Sequence, residues 1–261
     1  MTNHEYIEAM QMRRSRRTFL NKAPAPEVLD VLQQYVDWIN ETAGLHFVLF
    51  ESGKGLSSML SGSFALVAVC GPDTQKARED CGYFGEQMVL EAVYSGLGTC
   101  WLSSTFKEEK IFQLCKLPKK VRLYAAIAFG YVRKELSAKE KMIRRVTHKT
   151  SKPYQKMFTV CDEKLPDEYV FAMQQVENAP SSVNRQPVLF QFENGVLHAG
   201  VPEPYSDQSI DFGIAKFHFE TGMREKGING RWTSAGNFET GQPAGMPEPS
   251  DSAAKEGVND V

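Results

Sequence analysis

Apolar residues in this chain fall into short blocks, and their spacing changes from block to block. Helical spacing comes first over 5–12. It returns over Glu27–Asn40, where Val28, Leu29, Leu32, Tyr35 and Val36 share one face behind Pro24 and Pro26. His46-Phe47-Val48-Leu49-Phe50 predicts a strand, and Ser52–Gly62 a glycine- and serine-bearing loop. Phe64–Cys70 is an unbroken apolar run closed by Gly71-Pro72, the pattern of a buried strand. The longest helix is predicted over Thr74–Ser95. Its centre, Phe84–Val93, is apolar on most sides and so belongs in the core, and Gly96-Leu97-Gly98 supplies a left-handed exit. Lys107–Cys115 reads as a short helix and Val121–Phe129 as a strand closing on Gly130-Tyr131. Tyr169, Val170, Met173 and Val176 mark one more amphipathic helix, and Val188–Gly195 a strand ending in a turn.

Between those last two elements lies Glu177–Pro187. Pro180 disfavours helical geometry in the residue before it, so the helix must stop there. Ser181, Ser182 and Asn184 are left in a polar loop between rigid elements, offering short donors to a polyhydroxylated or heteroaromatic ligand. A plain helix exit and turn is the other reading of the same residues. Near the amino terminus stands Arg13-Arg14-Ser15-Arg16-Arg17-Thr18-Phe19. Guanidiniums grip phosphate with forked, charge-assisted hydrogen bonds, which lysine does less specifically. A solvated basic helix end is the alternative there.

The chain has 261 residues, 42% hydrophobic and 24% charged, with net charge −2 and a pI near 6.2. This is an ordinary globular composition, long enough for one sizeable core or two small ones. It argues against a nucleic-acid partner. No apolar run approaches the roughly 20 residues a membrane helix needs. The polar start, Met-Thr-Asn-His-Glu-Tyr, is no signal peptide. Five cysteines without CxxC spacing read as reduced thiols and, with the polar start, as a cytoplasmic setting. No histidine or cysteine spacing suggests a metal.

The Arg-rich opening and the Pro180-Ser181-Ser182-Val183-Asn184-Arg185-Gln186-Pro187 loop together resemble the FMN-dependent nitroreductase family, in particular its TM nitroreductase branch. Gly96-Leu97-Gly98-Thr99-Cys100-Trp101 and the strand end Gly130-Tyr131 resemble it too. The resemblance spans about residues 5–235. It implies an α+β nitroreductase-like fold, and Arg13, Arg14, Ser15 and Arg17 on the phosphate and ribityl chain of FMN. It also implies Pro180, Ser181, Ser182, Asn184 and Gln186 on the ribityl hydroxyls and polar ring edge, with Ser103 and Ser104 along the ring. A basic side chain from 133–156 would reach the phosphate. Val188 departs from the family's frequent tryptophan, and Ser103 from its frequent carboxylate or glycine.

The second half repeats the first. Gln33-Gln34 matches Gln174-Gln175 at an offset of 141, and Phe50–Gly53 matches Phe192–Gly195 at 142. Gly82, Gly96 and Trp101 match Gly213, Gly227 and Trp232, each at 131. Repeats of this length point to a duplicated domain. The expected organisation is a first copy over 1–150, a shorter second copy over 151–235 packed against it, and a flexible acidic tail over 236–261. In the family, two subunits share each flavin, so two tandem half-copies would make a single-chain pseudo-dimer, monomeric or further self-associated. The arginines survive in copy one and the Ser181-Ser182 loop in copy two. Their counterparts, Ser151–Phe158 and Asp37–Leu45, have lost those residues. One composite site is therefore expected. The resemblance implies an NAD(P)H oxidoreductase that passes hydride from NADH or NADPH through FMN to a small-molecule electron acceptor, nitroaromatic, quinone or similar. No protein nucleophile is expected. A non-catalytic flavin-binding or vestigial structural relative stays open.

Overall fold

The computed structural model describes residues 1–147, 151–160, 165–204 and 209–241. Its first half runs α1 (Asn3–Met12), α2 (Pro26–Ala43), β1 (Val48–Phe50), β2 (Ala65–Pro72), α3 (Gln75–Tyr94), β3 (Gly98–Leu102), α4 (Glu108–Cys115), β4 (Val121–Gly130) and α5 (Ala138–Thr147). The caps explain where the helices begin. Thr2 and Glu5 form a reciprocal capping box on α1, Pro26 opens α2, and Thr74 accepts from the Ala77 amide at the start of α3. Gly96, at φ 85°, carries the chain out of α3.

The first sheet is antiparallel throughout, in the order β1-β2-β4-β3. Successive side chains of a strand point to opposite faces. Ala65, Val67, Val69, Ala125, Ile127 and Phe129 therefore meet α2 and α3, while Leu66, Ala68, Cys70, Ala126 and Ala128 meet Phe19, Leu60 and Ile111. Both faces are covered, which is why the run reads as continuously apolar.

The second half contains β5 (Phe158–Val160), α6 (Asp167–Val176), β6 (Leu189–Glu193), β7 (Val196–Gly200), α7 (Ser209–Glu225), β8 (Gly230–Trp232) and β9 (Asn237–Thr240). Its sheet runs β5-β6-β7-β9-β8. The stretch β6-β7-β9-β8 repeats the order and antiparallel sense of the first sheet. β5 is added at the edge, parallel to β6. The tail expected from residue 236 begins too early. Asn237–Thr240 is an inner strand, because Phe238 is buried against Phe219 and Trp232. The rest of that tail, 242–261, lies outside the described residues.

The two halves meet where α3 crosses α7. A Cβ on Gly82 would run into the Ile210 carbonyl, and a Cβ on Gly213 into the Glu79 carbonyl. Gly82 and Gly213 are 131 positions apart, and so are Glu79 and Ile210. The contact is therefore reciprocal, as between helices related by a two-fold axis. Lys216 pairs with Glu79 at 2.6 Å and Tyr83 donates to Glu220 at 3.0 Å across the same crossing. α1 covers one side through Tyr6, Ile7 and Met10, packed on Leu90 and Phe217.

Candidate functional site

Two adjoining cavities lie where the Arg-rich segment, the β3 exit and the Pro180–Pro187 loop converge. One is mostly apolar, about 380 Å³, and its lining includes Ser15, Arg17, Trp101, Ser103, Ser104, Thr105, Pro180, Ser181, Ser182 and Asp211. The other is polar, about 390 Å³, and is lined by Arg13, Arg14, Ser15, Arg17, Glu140, Arg144, Ser151, Asn178 and Asn184, with Met10 and Leu136. Ser15 and Arg17 belong to both.

The Arg-rich segment owes its shape to backbone pairing. Ser15 bridges Thr99 of β3 in parallel, and Arg16 donates its amide to the Thr99 carbonyl at 2.8 Å. Extended backbone alternates its faces. Ser15 and Arg17 thus face the cavities while Arg16 turns inward, where its guanidinium meets Glu140 Oε1 at 3.2 Å and the carbonyls of Arg133 and Glu135. Glu140 also accepts from the amides of Arg17, Thr18 and Ser137. Burial raises its pKa, but the Ser137 and Arg17 amides, the Ser137 hydroxyl and Arg16 outweigh it and hold the carboxyl at about 2. With Glu140 so committed, the cations of the polar cavity keep their charge for a ligand. Arg14 donates to the Gln11 and Arg13 carbonyls, and the Arg17 guanidinium makes no hydrogen bond or ion pair among the described residues.

Arg13 sits deeper. Its Nε is buried without a hydrogen bond, 3.7 Å from Glu86 Oε1, and burial lowers the guanidinium's pKa against the pull of Glu86. Glu86, fully buried on α3, joins both halves. It accepts the Trp101 indole N–H at 2.8 Å and faces His218 Nε2 of α7 at 3.1 Å. His218 Nδ1 lies 3.0 Å from the Gln175 carbonyl, which can only accept, so this nitrogen carries a hydrogen. One carboxylate thereby steadies Trp101, a wall of the apolar cavity, and Arg13, a wall of the polar one.

The loop from the second half is held under strain. Val183, Asn184 and Gln186 have φ of 46°, 53° and 45°. Such a value is rare for any side chain and most costly for a β-branched one. Gln186 provides the compensation. Its amide donates to Ser181 Oγ, its Oε1 accepts from the Lys152 amide at 2.6 Å, and its Nε2 donates to the Glu177 carbonyl. Gln186 is buried and absent from the lining of both large cavities, so its side chain holds the loop in place of facing a ligand. Asp211, at the start of α7, anchors the loop from the other side by accepting the Ser182 amide. Burial pushes its carboxyl up to about 7, against the Ser182 amide and the charge of Arg185. Ser103 Oγ and Ser182 Oγ, one from each half, stand 3.4 Å apart.

The sequence profile of the family described as "Putative TM nitroreductase" matches residues 5–223. The chain belongs to the TM nitroreductase family. Membership supports an oxidoreductase role. The nitroreductase fold is shared with a "putative nitroreductase" from Thermotoga maritima, at 22% identity and a TM-score of 0.60, covering 91% of this chain and 92% of that one. A nitroreductase family protein from Clostridium difficile aligns at 19% identity and a TM-score of 0.46, over 61% of this chain and 98% of its own. A nitroreductase with bound FMN from Bacteroides fragilis aligns at 19% and 0.40, over 51% and 91%. None of the curated proteins matches in sequence.

Ten of the eleven residues named from the sequence line one or both cavities: Arg13, Arg14, Ser15, Arg17, Ser103, Ser104, Pro180, Ser181, Ser182 and Asn184. Gln186 is the eleventh. From the basic stretch 133–156, it is Arg144 on α5 that lines the polar cavity. Sequence reasoning missed Asp211, Arg78, Tyr124 and the Glu86–His218 pair. An acid inside the mostly apolar Phe84–Val93 block was the available signal for Glu86, a signal it shares with Glu91. Among the described residues there is no group of three or more His, Cys, Asp or Glu side chains that could hold a metal, and no helix long and apolar enough to cross a membrane. Cys70, Cys81, Cys100 and Cys115 are free, and Cys161 lies outside the described residues.

Proposed function

We propose that the chain is an FMN-dependent NAD(P)H oxidoreductase with one composite site, in which both halves grip a single FMN. The observation that carries this reading is the pair of cavities joined at Ser15 and Arg17, one polar and arginine-lined, the other apolar and walled by Trp101. The residues present fit the cofactor. Arg13, with a buried donor to spare, and Arg14, Arg17 and Arg144 suit a phosphate. Asn178, Asn184 and Ser151 suit the ribityl hydroxyls, and the apolar cavity suits a flat tricyclic ring. Bound there, FMN would supply two-electron chemistry between NADH or NADPH and a nitroaromatic, quinone or similar acceptor.

The protein's own part is binding and electrostatics. The arginines would set positive charge near the bound cofactor. Ser103, Ser104 and Thr105 line the apolar cavity and would offer it hydroxyls and amides. The apolar side chains Met59, Ile143, Ile210 and Ile214 exclude water from the space left for an acceptor. The test is the visible spectrum of the purified protein with released flavin counted per chain, followed by NAD(P)H oxidation with a quinone. One FMN per chain and steady turnover are expected. Arg17→Ala should weaken FMN binding at least roughly tenfold, the worth of one charge-assisted contact. A colourless protein that refuses added FMN overturns the reading, and two flavins per chain overturn the single composite site.

A further inference from the structure

The apolar cavity has a charged end whose residues are not among those assigned to FMN. Arg78 and Tyr124 line it, together with Ile210. The Arg78 guanidinium lies over the Tyr124 ring, 5.3 Å from its centroid, and the Tyr124 hydroxyl is fixed by the Pro72 carbonyl at 2.5 Å. A guanidinium held over a ring face is oriented before any ligand arrives. Its one carboxylate partner among the described residues is shared, since Asp73 meets Arg78 at 3.3 Å and Arg122 at 3.0 Å. Two arginines on one carboxylate leave a net positive charge. Arg78 Nε is buried and has no hydrogen-bond partner among the described residues. The single carboxyl in the cavity lining, Asp211, is turned to the Ser182 amide. The other lining cation, Arg17, belongs to the polar cavity as well.

We infer that this cavity selects a flat aromatic compound bearing an anionic substituent, of the carboxylate or sulfonate class, with the ring among the apolar side chains and the anion on Arg78. The inference rests on the proposed function, because the aromatic anion, carrying the nitro or quinone group that is reduced, is the acceptor of that reaction. It gives the acceptor a chemical class that the family does not.

The test is equilibrium binding of 2-naphthalenesulfonate and its neutral counterpart 2-naphthalenesulfonamide to the purified full chain, followed by calorimetry. The wild type should prefer the sulfonate by roughly tenfold or more, as one charge-assisted hydrogen bond would give. Arg78→Gln should abolish the preference while leaving sulfonamide binding in place. Asp73→Asn should enlarge it, since Arg78 then loses its competing carboxylate. A purely structural role for Arg78 cannot produce opposite signs from these two changes. Equal affinity in the wild type, or a preference that survives Arg78→Gln, overturns the inference. The two failures are distinguishable. A yellow, active protein without the preference loses the anion site and keeps the oxidoreductase. A colourless protein with an Arg78-dependent preference loses the oxidoreductase and keeps the anion site.

Discussion

Trp101 walls a cavity and donates its indole N–H to Glu86, whereas Trp232, its counterpart 131 positions on, has a buried indole N–H bonded to none of the described residues. The same offset sets Phe217 against Glu86 and Lys216 against Gly85. Gly85 leaves room for the Trp101 ring, while Lys216 Nζ sits 5.6 Å above the Trp232 ring. Around Trp232 gather Phe190, Phe212, Phe219 and Phe238. Two places with the same strand order around them have been put to different uses. One keeps a buried carboxylate and open volume. The other is filled by aromatic rings, each of which buries about 150–250 Å². The position that corresponds to the indole's acceptor Glu86 is Phe217, which has nothing to accept the Trp232 N–H.

The crossing that both halves share gives the sharpest way to break this comparison. Gly213→Ala or Gly82→Ala drives a methyl into backbone of the facing helix, and either should cost about 3 kcal/mol or more. Gly200→Ala, with open space at its Cβ position, should be near neutral in the same urea titration. Next comes Glu86→Leu, which makes the first half resemble the second. Arg13 and His218 would lose their shared carboxylate, at about 3 kcal/mol, and Trp101 its acceptor. Glu86→Gln should lose less, because its amide oxygen can still take the indole N–H.

The aspartates at 80 and 211 separate by pH. Asp211 titrates at about 7 when folded and near 4 when unfolded, so between those values the folded state holds the extra proton. Stability should therefore fall as pH rises from about 4 to 7, by something on the order of 3 kcal/mol. Asp211→Asn should flatten that slope in urea midpoints taken at pH 5 and 8. Asp80→Asn, which breaks a near-surface pair with Lys76, should leave it in place. Glu140 acts in the opposite window, its contribution fading as pH drops from about 4.5 toward 2. The smallest effects are the two tryptophans. Trp101→Phe should destabilise by about 1 kcal/mol, since Glu86 loses a donor, and Trp232→Phe should be neutral or stabilising by a similar amount. Equal signs in thermal melts would remove the distinction between the two places.

Four of the first half's helices and three strands of its sheet were legible because periodicity and caps act locally, whereas β3 and α5 were not read as elements. Thr74, Gly96 and Pro26 mark ends without help from the fold. The duplication was legible from the tryptophan and glycine offsets, and the shared strand order agrees with it. What escaped was decided by distant partners. Arg16 was rightly left out of the site, but its partner Glu140, 124 residues away, could not be foreseen. Gln186 looks like a ligand donor until Lys152 and Glu177 occupy both ends of its amide. Asn237–Thr240 reads as polar tail because its one apolar side chain, Phe238, has to find Trp232 and Phe219 before it counts as core.

An assembly of identical subunits meets every substitution twice, once on each side of its axis. Here Gly82 and Gly213 face each other across the crossing from different codons of one reading frame. A change at position 217 leaves position 86 untouched, so one pocket can close with aromatic rings while its twin keeps a carboxylate. Each side is free to drift, and selection can act on it separately. The crossing itself has no such latitude, because each glycine is pressed against the other half's backbone.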